Sequence, residues 1–161
     1  MRTFFRFFLL RLRQLLFGVS FNARPYNFGV VKENCIYRSS QPGKLFLQSL
    51  IKNYQIKTVI NLANKTDPLE GLKIFHFALP VRSEPPEPII QKILDLINQP
   101  EHWPILIHCI EGADRTGLLV ALRRLREKWD LAEIKKEMLY YHYIPFLNKT
   151  PLHCLRKRIG F

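Results

Sequence analysis

One stretch of the chain constrains its fold more than any other. Pro104-Ile105-Leu106-Ile107 is a short apolar run, His108-Cys109-Ile110-Glu111-Gly112-Ala113-Asp114-Arg115-Thr116-Gly117 follows it, and Leu118-Leu119-Val120-Ala121-Leu122 carries a helical pattern. A strand therefore delivers a cysteine into a tight loop, and an arginine six positions later opens a helix. Such a loop turns successive backbone N–H groups into one concavity, and the helix N-terminus adds its partial positive charge. An anion of phosphate size is the natural occupant. Ile110, Glu111, Gly112, Ala113 and Asp114 supply the backbone of the bowl. Cys109 lies at its floor, where a positive surrounding favours the thiolate. Arg115 closes it with a planar, two-pronged clamp.

The rest of the chain reads as short strands separated by helices. Val30-Val31 and Cys35-Ile36-Tyr37-Arg38 predict a strand pair, Thr58-Val59-Ile60-Asn61-Leu62 a β-branched strand, and Ile74-Phe75-His76-Phe77-Ala78 another. Helices are expected after Pro42-Gly43, through Ile89-Ile90, Ile93-Leu94 and Leu96-Ile97, over residues 116–129 with Arg123, Arg124, Arg126 and Lys128 on the outer face, over 131–143, and from Thr150-Pro151. Pro85, Pro86 and Pro88 exclude regular structure from residues 80–88. This alternation implies an α/β fold with a central, largely parallel sheet of four to five strands flanked by helices.

The loop matches H-C-x2-G-x2-R-[ST]-G and in this resembles the signature of the protein tyrosine phosphatase superfamily. Upstream, Tyr37-Arg38-Ser39-Ser40-Gln41-Pro42 is similar to the YRSxQP segment of small, atypical dual-specificity phosphatases. The resemblance covers residues 30–143 and implies the cysteine-dependent phosphatase fold. It also implies phosphomonoester hydrolysis with Cys109 as nucleophile, a phosphocysteine intermediate, and Arg115 binding two phosphate oxygens. In the family the residue at His108 orients the loop. Thr116 can donate its hydroxyl to the sulfur or cap the helix. Gly112 and Gly117 permit backbone conformations that side chains would obstruct. Arg38 follows a strand and is expected either to stand beside the loop and hydrogen-bond its backbone or to form a surface salt bridge.

The general acid is where the chain departs from the family, which usually supplies an Asp from a separate loop. Here that loop, residues 79–88, contains only Glu84 and Glu87 as acids. The alternative is Asp114, directly before the arginine, as in the loop of myotubularin-type lipid phosphatases, which this one resembles. Asp114, Glu84, and Glu87 or water stand as the candidates. Lipid-directed relatives that accept densely phosphorylated inositols commonly carry Lys in the loop. Glu111 and Asp114 disfavour such a head group by like charge. Singly phosphorylated substrates are expected, phosphotyrosine first, with a phospholipid or inositol phosphate monoester as the alternative. A non-catalytic phosphate-binding module and a sulfurtransferase- or arsenate-reductase-like thiol enzyme are the competing classes.

Composition sets the remaining expectations. The chain has 161 residues, a single-domain length, and a formal net charge of +12, which calls for an acidic partner. No nucleic-acid motif accompanies the scattered basic residues, so nucleic acid is not expected. Three cysteines form no disulfide framework and suit a reducing, cytoplasmic setting. Cys35 is expected in the core and Cys154 in a structural role, either being available as a resolving thiol. The five histidines show no metal-ligand spacing, and neither metal nor cofactor is expected. Residues 1–20 read as a basic amphipathic helix ahead of a catalytic domain over 21–161. Arg2, Arg6 and Arg13 share one face and Arg11 lies nearly opposite, too interrupted for a membrane span or a signal peptide. The alternatives are a helix lying on an anionic membrane surface, placing the protein peripherally on the inner face, or one packed on the domain.

Overall fold

The computed structural model describes residues 22–64 and 71–159, together with Phe8, Arg11 and Leu12. The helix expected over residues 1–20 lies outside the described residues apart from those three, which are helical and exposed. No described helix is long and apolar enough to cross a membrane.

Strands β1 (Gly29–Lys32) and β2 (Ile36–Ser40) form an antiparallel hairpin. Helix α1 (Lys44–Tyr54) leads to β3 (Thr58–Asn61) and β4 (Lys73–His76). Helix α2 (Glu87–Asn98), strand β5 (Ile105–Cys109) and helices α3 (Asp114–Arg126), α4 (Leu131–Tyr140) and α5 (Thr150–Ile159) complete the chain. The sheet order is β1-β2-β5-β3-β4, parallel except at β1.

β5 is the central strand, and all five of its residues are buried, as a strand covered on both faces requires. Its side chains alternate between two cores. Ile105, Ile107 and Cys109 face a core with Ile93 of α2, Leu119 of α3, Ile134 of α4 and Leu155 of α5. Leu106 points the other way, to Leu47 and Leu50 of α1, Tyr37 and Val59. In α2 the buried residues Ile90, Ile93, Leu94 and Ile97 recur at helical spacing, and the helix begins just past Pro85-Pro86.

The parallel strands β2, β3 and β5 end along one edge, where Ser40 pairs with Cys109 and Asn61 with His108. β5 has neighbours on both sides, so the loop leaving it opens into the crevice at the strands' carboxyl ends, where α/β sheets bind ligands.

Several expectations need correction. Regular structure is not excluded through residue 88: α2 begins at Glu87, and Pro88 lies in its first turn, where its missing N–H has no intrahelical partner to lose. Arg123 and Arg124 are not on an outer face; each is only 7% exposed. Helix α3 is packed along much of its circumference, and the two charges are buried with partners. Arg123 bonds Asn98 and pairs with Glu127 at 2.7 Å. Arg124 reaches Glu137 at 3.0 Å, Glu127 at 2.9 Å and the Val31 carbonyl at 3.0 Å, and lies over the Trp129 ring. Helix α4 stops at Tyr140 instead of reaching residue 143, because His142 takes a left-handed φ of 67°.

Candidate active site

Cys109 is the last residue of β5 and is 2% exposed. The chain then turns through Ile110–Ala113 and enters α3 at Asp114. The Gly112 N–H donates to Cys109 Sγ at 3.2 Å, so the loop curls back over the sulfur. This curl requires glycine at 112. Its φ is +66°, and a Cβ there would fall 2.6 Å from the carbonyl carbon and oxygen of Ser39 and from the Ser40 nitrogen. Gly117 is different: it is helical, and an added Cβ would meet only Arg38 Nη2 at 3.8 Å and Met138 Cε at 4.0 Å. The expectation that both glycines are sterically required therefore holds at Gly112 and fails at Gly117.

Arg115 is buried on the first turn of α3, and its Nη1 donates to the carbonyls of Leu62 at 2.8 Å and Leu79 at 3.3 Å. Those carbonyls follow β3 and β4, so the sheet edge fixes the guanidinium. His108 is fully buried between Ser39 of β2 and Asn61 of β3, and its carbonyl accepts from the Leu62 N–H at 2.8 Å. Thr116 Oγ1 is buried with no hydrogen-bond partner among the described residues. The expected Thr116 bond to the sulfur is not formed; the sulfur takes its bond from the Gly112 amide.

Arg38 is fully buried behind the loop and donates from Nη2 to the Gly112 carbonyl at 2.7 Å. Its guanidinium stacks 3.9 Å from the Tyr141 ring centre. Burial presses the Arg38 guanidinium below its ordinary value, against the opposing pull of Glu137, Tyr141 and Cys109. Gly29 makes room for this arrangement, since a Cβ there would fall 2.1 Å from Tyr141 Oη.

The candidate acids are not equivalent. Glu84 turns to α5, where Lys157 Nζ donates to it at 3.3 Å, and Glu87 is paired with Arg158. Asp114 lies at the start of α3 and lines a cleft with Arg115, Pro80, Val81, Ser83 and Thr150. A carboxylate in the first turn also complements the helix dipole. Ile110 and Glu111 are exposed, whereas Ala113 is buried. Cys35 is half-buried, and burial pushes the Cys154 thiol up, which disfavours the thiolate that resolving chemistry needs. Among the described residues no group of three or more His, Cys, Asp or Glu side chains is placed to hold a metal ion.

Sequence reasoning missed Asn22, Asn27 and Tyr141. By sequence Asn22 and Asn27 are only turn-forming residue types ahead of the first strand. Both are buried, and Asn27 Nδ2 donates to the carbonyls of Glu111 at 3.3 Å and Tyr141 at 3.0 Å. The one available signal was the cluster of Asn22, Pro25 and Asn27 immediately before the first strand.

A family model described as the tyrosine phosphatase family matches residues 23–144, which include β1, β2, the Cys109 loop and α3. The chain belongs to the tyrosine phosphatase family. Among its relatives, the inositol diphosphatase DSP4 of Arabidopsis thaliana is 34% identical over 128 residues, covering 70% of this chain and 62% of that protein. The probable tyrosine-protein phosphatase DG1060 of Dictyostelium discoideum is 33% identical over 129 residues, covering 70% of this chain and 74% of that one. The chain thus spans just under two thirds of the length of DSP4. The solved core catalytic domain of the PP-IP phosphatase SIW14 from S. cerevisiae, in complex with citrate, has a TM-score of 0.68 and 29% identity, covering 74% of this chain and 77% of that one. P. aeruginosa TpbA, at a TM-score of 0.72 and 20% identity over 89% of this chain and 92% of its own, shares the fold. The architecture is accordingly the cysteine-dependent phosphatase fold.

Proposed function

We propose that this tyrosine phosphatase family member hydrolyses phosphate monoesters through a phosphocysteine intermediate. The observation that carries the reading is the closed loop itself. Cys109 Sγ receives the Gly112 N–H at 3.2 Å, and Arg115, six residues on, is fixed by two main-chain carbonyls. The Cys109 thiolate attacks phosphorus in line with the ester oxygen, the P–O bond to the alcohol breaks, and that oxygen leaves with a proton from the general acid. Water then attacks phosphorus and gives a proton to the now deprotonated acid residue, the S–P bond breaks, and inorganic phosphate is released with the thiolate restored. Inward amides and the Arg115 fork stabilise the equatorial oxygens as charge develops.

Asp114 is the acid this reading favours. It lines one cleft with Arg115, whereas Glu84 and Glu87 are engaged by Lys157 and Arg158 of α5. Glu111 and Asp114 on the loop support a singly phosphorylated substrate, phosphotyrosine first. One observation favours a second reading: DSP4 is named an inositol diphosphatase and SIW14 a PP-IP phosphatase, and a net charge of +12 suits such a polyanion.

The test is hydrolysis of p-nitrophenyl phosphate, a phosphotyrosyl peptide and an inositol pyrophosphate. Cys109→Ser should abolish turnover, and Arg115→Lys should lower it about 10²–10³-fold, because a point charge cannot replace the fork. Asp114→Asn should flatten the basic limb of the pH–rate profile for poor leaving groups while sparing activated aryl esters. Turnover that survives Cys109→Ser sinks the mechanism. A flattened limb in Glu84→Gln, with Asp114→Asn unchanged, moves the acid to Glu84. Preference for the inositol pyrophosphate selects the second reading.

A further inference from the structure

We infer that Asn27 is a positioning residue for the phosphate loop, acting with Arg38 and the Gln41 amide as a clamp that turns the loop's N–H groups toward the bound anion. The inference rests on the reading of the Cys109 loop as a phosphate site and deepens it.

A trans peptide unit is planar, so the carbonyl of one residue and the N–H of the next point in opposite directions. To aim a run of N–H groups inward, a loop must send the preceding carbonyls outward, and buried carbonyls need donors there. Three consecutive carbonyls of this loop have such donors, all from outside it. The Ile110 carbonyl accepts from the Gln41 N–H at 3.2 Å, that of Glu111 from Asn27 Nδ2 at 3.3 Å, and that of Gly112 from Arg38 Nη2 at 2.7 Å. The N–H groups thereby directed inward are those of Glu111, Gly112 and Ala113. One of them reports its direction: the Gly112 N–H, on the peptide whose carbonyl Asn27 holds, points at Cys109 Sγ.

Asn27 is fitted to this task. Its two amide hydrogens serve two carbonyls, Glu111 and Tyr141, while its Oδ1 accepts from Asn22 Nδ2 at 3.2 Å. Its backbone is left-handed at φ 49°, which asparagine tolerates better than most side chains. Asn22 is itself tied down, donating from Nδ2 to the Phe28 carbonyl at 2.8 Å and from its main chain to the Tyr140 carbonyl at 2.7 Å. The segment before the first strand thus forms a strap across the outside of the loop, 84 residues away in sequence.

The test uses the full chain. In a Cys109→Ser background, inorganic phosphate affinity is measured by calorimetry for the parent, Asn27→Asp and Asn27→Gly. Asp keeps the shape and the left-handed tolerance but presents acceptors to two carbonyls. Gly keeps the backbone freedom and removes the amide. Each should weaken phosphate binding up to about tenfold, the loss expected when a half-buried loop carbonyl is left without its donor and its peptide is free to turn. With Cys109 intact, kcat for p-nitrophenyl phosphate should fall more than KM rises. A purely structural role would lower the unfolding midpoint and leave phosphate affinity unchanged. Unchanged affinity in either folded variant overturns the inference, and so does failure of both to fold, since Asn27 would then be holding the domain. A parent that binds no phosphate sinks the functional reading instead, and the clamp with it.

Discussion

The two walls of the Cys109 loop are held by different physics. On the β2 side the contacts are buried or half-buried: Arg38 to the Gly112 carbonyl is buried, Asn27 to the Glu111 carbonyl half-buried, and the Tyr141 ring lies between Arg38 and Gly29. On the other side, residues 79–88 are tied to α5 by Glu84–Lys157 and Glu87–Arg158, pairs that reach solvent. Buried hydrogen bonds leave an unsatisfied group when broken, at about 1–3 kcal/mol each. Exposed ion pairs are commonly worth under about 1 kcal/mol and are screened by salt. One wall therefore sets the shape of the anion site. The other is anchored at its start, where Arg115 holds the Leu79 carbonyl and Asn148 the Val81 carbonyl, and only its Glu84–Glu87 end can shift at small cost.

The sharpest way to break the contrast is a pair of identical substitutions five residues apart. Gly112→Ala drives a Cβ into the Ser39–Ser40 backbone at 2.6 Å and forces alanine to φ +66°. Overpacking costs about 1–3 kcal/mol and the left-handed conformation about 1–2 more, so the variant should lose several kcal/mol in urea unfolding and nearly all turnover. Gly117→Ala places its Cβ in ordinary contact on α3 and gains up to about 1 kcal/mol of helix propensity. It should be neutral or stabilised. Equal losses at the two positions would mean that the β2 wall is no tighter than the helix behind it.

That contrast also marks what could be read in the sequence. The parallel sheet, the strand–loop–helix and the cysteine and arginine six residues apart follow from local pattern, because apolar period and glycine placement are local properties. The difference between Gly112 and Gly117 is not local: it depends on where the Ser39 backbone passes, which the sheet order decides. Arg123 and Arg124 likewise read as solvated charges, since their partners Asn98 and Glu137 come from other helices. Asn27 has the chemistry of a turn residue, but its hydrogen bond spans 84 positions. Local chemistry identified the loop's inner face, and only the tertiary structure supplies its outer face.

Alkali should probe both walls at once. Burial pushes Tyr141 up on the β2 side and pushes Tyr143 up to about 12 from an ordinary 10.0 on the other. Tyr143 donates to the Asn148 carbonyl at 2.7 Å, and Asn148 Nδ2 holds the Val81 carbonyl at 2.8 Å. A folded value above the unfolded one means the contribution is complete below pH 10, where both states keep the proton. As pH rises from 10 to about 12 the unfolded chain ionises first, and the contribution is lost. Unfolding midpoints should be level up to pH 10 and fall above it, with tyrosinate absorbance rising alongside the loss of structure. Tyr143→Phe, which removes the ionisation, should shift the fall to higher pH. An unchanged fall assigns the alkaline limit to other groups that burial pushes up, Tyr141 and Tyr37 on the β2 side and Cys154 in α5.

The smallest effect belongs to the exposed pairs. Glu84→Gln removes the carboxylate that Lys157 reaches at 3.3 Å, in a pair whose lysine is two-thirds exposed. Stability should change by less than about 1 kcal/mol, and the difference from wild type should shrink between low and high salt. Lys157→Ala should behave alike, because either change removes the same screened attraction. If Asp114 delivers the proton, both variants should keep the wild-type pH–rate profile even for poor leaving groups. A Glu84→Gln loss that persists at high salt would show that this wall is held as firmly as the β2 side. A loss of turnover confined to poor leaving groups, at unchanged stability, would give Glu84 the acid's role and make its bond to Lys157 one that must open during catalysis.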